Sequence, residues 1–129
     1  MPLEGSPFAR FTDQKTVLLT TFRRDGTPVP TPVHIVVNGD HAYFRTYDRA
    51  GKTKRLRRNP LVELTPSTFG GTPQGVSMRA QARLLPDAEA RWVRGALAGK
   101  YPFLQRRLVP LFHRLKKYKT LHYELTAER

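Results

Sequence analysis

The sequence predicts a mainly β fold with helices at one side: a small closed or half-closed barrel of six mostly antiparallel strands. Three observations point there. Short β-branched and apolar runs are separated by tight turns at Asp25-Gly26 and Asn38-Gly39-Asp40, and Asp-Gly between two such runs is a strong hairpin signal. Residues from Val76 to Leu85 alternate apolar and polar, which marks a half-buried strand. Helical patterns stand only after the third strand and toward the C-terminus. The resulting order, β-β-β-α-β-β-α-α-β, suits a curled sheet with helices on one flank.

The elements follow in order. Thr16 to Phe22 is a β-branched, apolar first strand. The second, Val29 to Val37, sits among Pro28, Pro30 and Pro32. Proline donates no ladder hydrogen bond, so this strand must begin at an edge or a bulge. His41 to Tyr47 is an aromatic-rich third strand, and short turns make the three a meander. Lys52 to Arg58 reads as a short helix ended by Asn59-Pro60. Leu61 to Thr65 resumes as strand, and Pro66 to Pro73 is a loop rich in Gly, Ser and Thr. After the Val76–Leu85 strand, Pro86-Asp87 starts a helix, with Asp87 as N-cap, that runs to about Lys100. A second helical stretch after Pro102 carries Leu104, Leu108, Leu111, Phe112 and Leu115 on one face, and Pro110 should kink it. Leu121 to Leu125 is the last strand.

A chain of 129 residues with 39% hydrophobic and 26% charged residues is expected to form one packed domain, residues 1–129. No stretch approaches the ~20 apolar residues of a membrane-spanning helix, so no stable membrane insertion is expected. Met1 to Phe11 lacks the apolar core of a secretory signal. The absence of cysteine excludes disulfides, thiolate metal sites and a cysteine nucleophile. The expected compartment is the cytoplasm.

The formal net charge of +13 is concentrated. Residues 52–60 contribute +5 and residues 100–129 contribute +6, while the remaining segments are nearly balanced. A field that localised favours an anionic partner: nucleic acid, an acidic membrane or a phosphorylated ligand.

Lys52-Thr53-Lys54 opens the short helix, where backbone N–H groups and the positive dipole end receive phosphate. Cations in a first turn oppose the dipole, a cost that makes sense if an anion binds there; a solvated basic face is the competing reading. His34, His41, His113 and His122 lack metal-pair spacing, so no metal site is expected. Only His34, beside Pro32-Val33, is placed to line a pocket. Ten dispersed carboxylates offer no acid–base dyad, and Ser6, Ser67 and Ser77 lack a nucleophile elbow. The basic residues from Arg106 to Lys119 flank an apolar stripe; such a helix suits an anionic membrane or nucleic acid, and the preferred reading has the stripe cover a barrel end or a partner subunit with the cations as its solvated face.

Residues 16–85 resemble the pyridoxamine 5′-phosphate oxidase-like split-barrel superfamily, nearest to the actinobacterial enzymes that use the deazaflavin coenzyme F420. The resemblance rests on Val17-Leu18-Leu19-Thr20-Thr21-Phe22, Asp25-Gly26-Thr27-Pro28, Thr31-Pro32-Val33 and Tyr43-Phe44-Arg45-Thr46. It rests above all on Gly51-Lys52-Thr53-Lys54-Arg55-Leu56-Arg57-Arg58-Asn59-Pro60, with Val76 to Leu85 matching a later strand. It implies an FMN-binding type of split β-barrel that forms a homodimer, with cofactors in grooves between subunits.

By position, Lys52 matches the lysine that holds the cofactor phosphate. Thr53, Lys54 and Arg55 adjoin it, and Thr46 reaches the same phosphate. Thr31, Pro32, Val33 and His34 match the segment along the cofactor ring. Two departures, Gly51 and Thr31 where flavin-dependent oxidases commonly carry arginine, favour F420 over FMN. F420 is a long polyanion, which the basic segments suit. The implied activity is hydride transfer between the deazaflavin and a small unsaturated or quinone-like substrate, with no catalytic side chain required. The alternatives are an FMN-binding oxidoreductase of the same fold and a non-enzymatic basic module for nucleic acid or membrane. The charge sits in a loop-plus-helix phosphate site instead of a broad stripe, so no nucleic-acid partner is expected.

Overall fold

The computed structural model describes residues 6–48, 50–100 and 119–128. After a single 3₁₀ turn, Ala9–Phe11, the strands are β1 (Thr16–Phe22), β2 (Pro28–Val33), β3 (Ile35–Asn38) and β4 (His41–Tyr47). Helix α1 (Gly51–Arg58), β5 (Leu61–Ser67), β6 (Met78–Leu84), helix α2 (Asp87–Lys100) and β7 (Thr120–Ala127) follow. All pairings are antiparallel, in the order β2-β1-β5-β6-β7-β4-β3. Its two outermost strands are consecutive in sequence, separated by His34 alone. A sheet whose opposite edges are one residue apart must curl round on itself, which makes the expected split barrel.

The second strand is two. Val29 to Val37 divides at His34, so seven strands replace the expected six and the meander is replaced by two hairpins at opposite edges of the sheet. The prolines explain the split. Pro28, Pro30 and Pro32 lie opposite Phe22, Thr20 and Leu18 on the outermost strand, where no further strand requires their missing N–H. Beyond them the chain regains donors and pairs with β4.

Gly26 and Gly39 adopt φ of 91° and 61° in the two hairpin turns, a region open to glycine at little steric cost. At the β1–β2 turn the Thr27 N–H donates to the Asp25 carboxylate at 3.0 Å. Pro73 bridges back to Ser67, so the loop after β5 closes tightly.

The barrel interior is filled by Val17, Leu19, Ile35, Phe44, Val62, Leu64 and Leu125, all fully buried, and Phe8 and Phe11 join them. Phe44 stacks on Tyr123 with ring centroids 5.2 Å apart. Helix α2 covers the outer face: Ala90, Val93 and Leu97, at helical spacing, pack with Tyr43 and Leu85. Asp87 is the first residue of that helix, not its N-cap; the Glu89 and Ala90 N–H groups turn back to the Pro86 carbonyl. At the other end of α2, the Lys100 ammonium donates to the carbonyls of Ile35 at 2.8 Å, Gln14 at 3.0 Å and Phe11 at 3.4 Å.

β6 begins at Met78, two residues later than expected. Val76 stays 77% exposed and Leu84 50% exposed, because β6 pairs with β5 only from Met78 onward and its last residue runs past the core. The expected helical stretch after Pro102 lies outside the described residues.

Candidate functional site

Helix α1 packs against β1. Leu56 enters the core, and Thr53 is fully buried with its hydroxyl donating to the Tyr47 carbonyl at 2.8 Å. The Thr53 N–H is also engaged, with Ala50 O at 3.1 Å. The structure therefore gives Thr53 the work of fixing the first turn against the end of β4. The helix stops at Asn59, whose carboxamide oxygen accepts the Leu61 N–H at 3.1 Å. Pro60 makes that stop obligatory, having no N–H to continue the ladder.

This leaves a turn rich in cations. Lys52 is half-buried, and burial, reinforced by Arg55, lowers its pKa. Arg55 is drawn inward: its Nε donates to the fully buried Thr21 hydroxyl on β1. Gly51 makes this possible. A Cβ there would stand 2.9 Å from Arg55 Nη1, so the guanidinium occupies the space that a side chain at 51 would claim. Burial and then Arg23 and Arg58 lower the Arg55 pKa. Lys54, Arg57 and Arg58 are exposed. No acidic residue stands in the first turn, and among the described residues none of the ion pairs involves α1. Desolvated cations lacking carboxylate partners suit a phosphate.

The sequence-predicted residues fall into two groups. Lys52, Thr53, Lys54 and Arg55 gather on α1, with Thr46 buried near the end of β4 one short loop away. Thr31, Pro32, Val33 and His34 run along the edge strand instead. Thr31 lies opposite Leu19 and Val33 opposite Val17, whereas Arg55 reaches β1 at Thr21. The four-residue offset from Thr21 to Val17 corresponds to about 13 Å along a strand. The Thr31 hydroxyl turns to the Leu19 carbonyl at 3.4 Å, Pro32 is exposed and Val33 is buried.

His34 stands half-buried at the break between β2 and β3. Burial, then Arg45 and Lys100, lowers its pKa, so the imidazole is neutral at physiological pH. Two residues nearby escaped sequence reasoning. Since Ile35 pairs with Phe44 and Arg45 with His122, the segment His34, Arg45 and His122 forms a row across three neighbouring strands. His122 is a strand residue as expected, but it is buried at 4% exposure under α2. The alternation of β7 could have signalled that it faces away from Leu121 and Tyr123; nothing local revealed that a helix lies over it. His41, by contrast, pairs at the surface with Glu124 at 3.2 Å.

Among the described residues, no group of three or more His, Asp or Glu side chains could hold a metal ion. No helix among them is long and apolar enough to cross a membrane.

Comparison with known proteins adds the following. The family model of pyridoxamine 5′-phosphate oxidase matches residues 8–113. No curated protein matches the chain. Among solved structures, the chain is similar to an F420 reductase at 16% identity, covering 95% of this chain and 93% of that one with a TM-score of 0.68. It is similar to the haem storage protein HutZ of Vibrio cholerae at 18% identity, covering 100% and 92% with a TM-score of 0.71. A conserved hypothetical protein of Mycobacterium tuberculosis is 23% identical over 95% of this chain and 79% of that one, with a TM-score of 0.67. At these identities the likeness concerns the fold.

Proposed function

This chain belongs to the pyridoxamine 5′-phosphate oxidase family, and on that premise we propose that it is an oxidoreductase working with coenzyme F420, with FMN as the alternative cofactor. The observation that carries the reading is the pair of inward-drawn cations, Lys52 and Arg55, on a turn of α1 that has no acidic residue. That donor set fits a phosphodiester: one ammonium as a point charge and one guanidinium as a fork.

In this reading Lys52 and Arg55 hold the phosphate, while Thr53 and Thr46 keep the end of β4 and the first turn of α1 in place. The exposed Lys54, Arg57 and Arg58 offer charge to carboxylates farther along a polyanionic tail. Thr31, Pro32, Val33 and His34 border the ring at a distance along the strand that asks for a ligand with ring and phosphate separated by a short chain. The bound deazaflavin would supply hydride at its C5 to a small unsaturated or quinone-like substrate. The chain supplies binding and orientation, and the neutral imidazole of His34 is the side chain suited to move a proton at the ring's edge. The protein acts as a homodimer in the cytoplasm.

Parallel fluorescence or calorimetric titrations with F420 and FMN test this. Tighter binding of F420 supports the first cofactor, and tighter FMN binding replaces it with the second. Binding of neither, together with duplex DNA binding that weakens steeply with salt, would point to a basic binding module and sink the enzyme reading.

A further inference from the structure

The segment between β5 and β6 holds a small hairpin of its own. The Gly71 N–H donates to the Thr68 carbonyl at 2.9 Å, the Thr68 N–H donates to the Thr72 carbonyl at 2.9 Å, and Gly71 takes a φ of 97°. This is the three-residue hairpin loop in which a β-turn is followed by a left-handed glycine. The Thr72 N–H also donates to the Thr68 hydroxyl at 3.0 Å, and the Gln74 N–H reaches the Pro66 carbonyl at 2.7 Å. The tip is thereby a fixed mount. At the first corner of its turn stands Phe69, 79% exposed.

The mount rests on the edge of the sheet. A Cβ on Gly71 would lie 3.4 Å from Pro32 Cγ and 3.7 Å from Leu18 Cδ2, so the bare glycine lets the hairpin press against β2 and β1. Phe69 is two residues from that contact, a span of at most about 7 Å. Pro32 is itself exposed and belongs to residues 31–34, the segment assigned to the cofactor ring. A single exposed apolar side chain is ordinary on a protein surface. Here a tightly bonded turn presents an aromatic ring near an exposed proline ring, and among the described residues Phe69 stacks on no other aromatic ring. Such a surface suits a flat aromatic guest.

We propose that Phe69 is a specificity-determining residue of the cofactor site, its ring lying against the face of the planar ring system that residues 31–34 border. The inference rests on the cofactor reading given to that segment and to α1, and it adds a residue that selects the ring instead of the phosphate. Lys52 and Arg55 alone would accept any phosphodiester. Phe69 restricts the guest to one whose other end is flat and aromatic, through stacking that a saturated body cannot match.

The test is a calorimetric titration of the full chain with F420 or FMN, whichever wild type binds tighter. Phe69→Ala should weaken binding about three- to twelve-fold, and Phe69→Tyr should stay within about two-fold of wild type. Val76→Ala, at a similarly exposed apolar residue of the same loop outside the hairpin, should cost less than about two-fold. The indole of Phe69→Trp, a stronger electron donor than phenyl, should quench the emission of the bound cofactor and add a long-wavelength charge-transfer band, which requires van der Waals contact. The proposal is overturned if Phe69→Ala binds as wild type does, if Val76→Ala costs as much, or if Phe69→Trp leaves the bound cofactor's spectrum unchanged. It is overturned too if Phe69→Ala halves the mass seen by light scattering, since Phe69 then covers a second copy of the chain. Loss of binding on Lys52→Ala with none on Phe69→Ala removes this proposal alone and leaves the phosphate site standing. Failure of both cofactors to bind wild type removes both readings.

Discussion

Acidification should destabilise this protein through His122. The imidazole titrates at about 4 in the folded chain against 6.5 in the unfolded one, with burial as the leading cause and Arg45 and Arg94 adding to it. Between those two values the unfolded chain takes up a proton that the folded chain refuses. The stability owed to the neutral, buried ring is therefore fully present above pH 6.5 and drains away as the pH falls toward 4. At 1.36 kcal/mol per unit, a shift of this size corresponds to roughly 3 kcal/mol, a large share of the ~5–15 kcal/mol that holds a domain together. The side chain is only 4% exposed, so solvent screening removes little of this. Urea denaturation from pH 7.5 to 4 at fixed ionic strength reads the effect directly. Wild type should lose about 3 kcal/mol more over this range than His122→Gln, whose amide does not titrate. His34, shifted in the same direction, is present in both proteins and cancels. If the two proteins lose stability in parallel, His122 is hydrated in solution and its burial under α2 is wrong.

Further predictions concern helix α1, Lys100 and the assembly. Lys52→Ala should weaken F420 binding by roughly 10- to 150-fold, from the ~1.5–3 kcal/mol of a charge-assisted hydrogen bond, while Lys117→Ala in the other basic segment changes it far less; equal losses in a binding titration would refute the phosphate site. Gly51→Ala places a Cβ where Arg55 Nη1 now stands at 2.9 Å. Thermal melting should show little net change, because the better helix former offsets the lost Arg55–Thr21 contact by up to ~1 kcal/mol, yet cofactor affinity should fall several-fold as the guanidinium is displaced. Lys100→Met removes the donor to three carbonyls that join α2 to β3 and to the segment before β1; chemical denaturation should show a loss of about 2–4 kcal/mol, and a loss below ~0.5 kcal/mol would mean water replaces the ammonium. Light scattering at micromolar concentration should give twice the 14.8 kDa protomer mass, and a monodisperse monomer would remove the basis for a cofactor groove between subunits.

Much of the architecture was legible because it is written locally. The Asp25-Gly26 and Asn38-Gly39 turns, the aromatic run of β4 and the Asn59-Pro60 stop act within a few residues, and β1, β4 and α1 stand where these signals put them. The cationic turn of α1 was legible for the same reason. Its neighbours were not: nothing near Arg55 announces that its partner is Thr21, 34 residues away, nor that Gly51 is the vacancy it fills.

By itself, then, the sequence determined most of the elements, though not the division of the second strand, together with the prolines that confine β2 to an edge or bulge and the +5 charge of residues 52–60. These follow from backbone dihedrals, the period of side-chain alternation and formal charge, all short-range quantities. The tertiary structure alone decided that one residue, His34, separates the two edges of the sheet, that Arg45 stands between two histidines, and that His122 is sealed beneath α2 with its Nε2 unmatched. Those facts depend on strand order and on which helix covers which face. Both are set by burying the whole apolar surface at once, and no window of neighbouring residues contains that information.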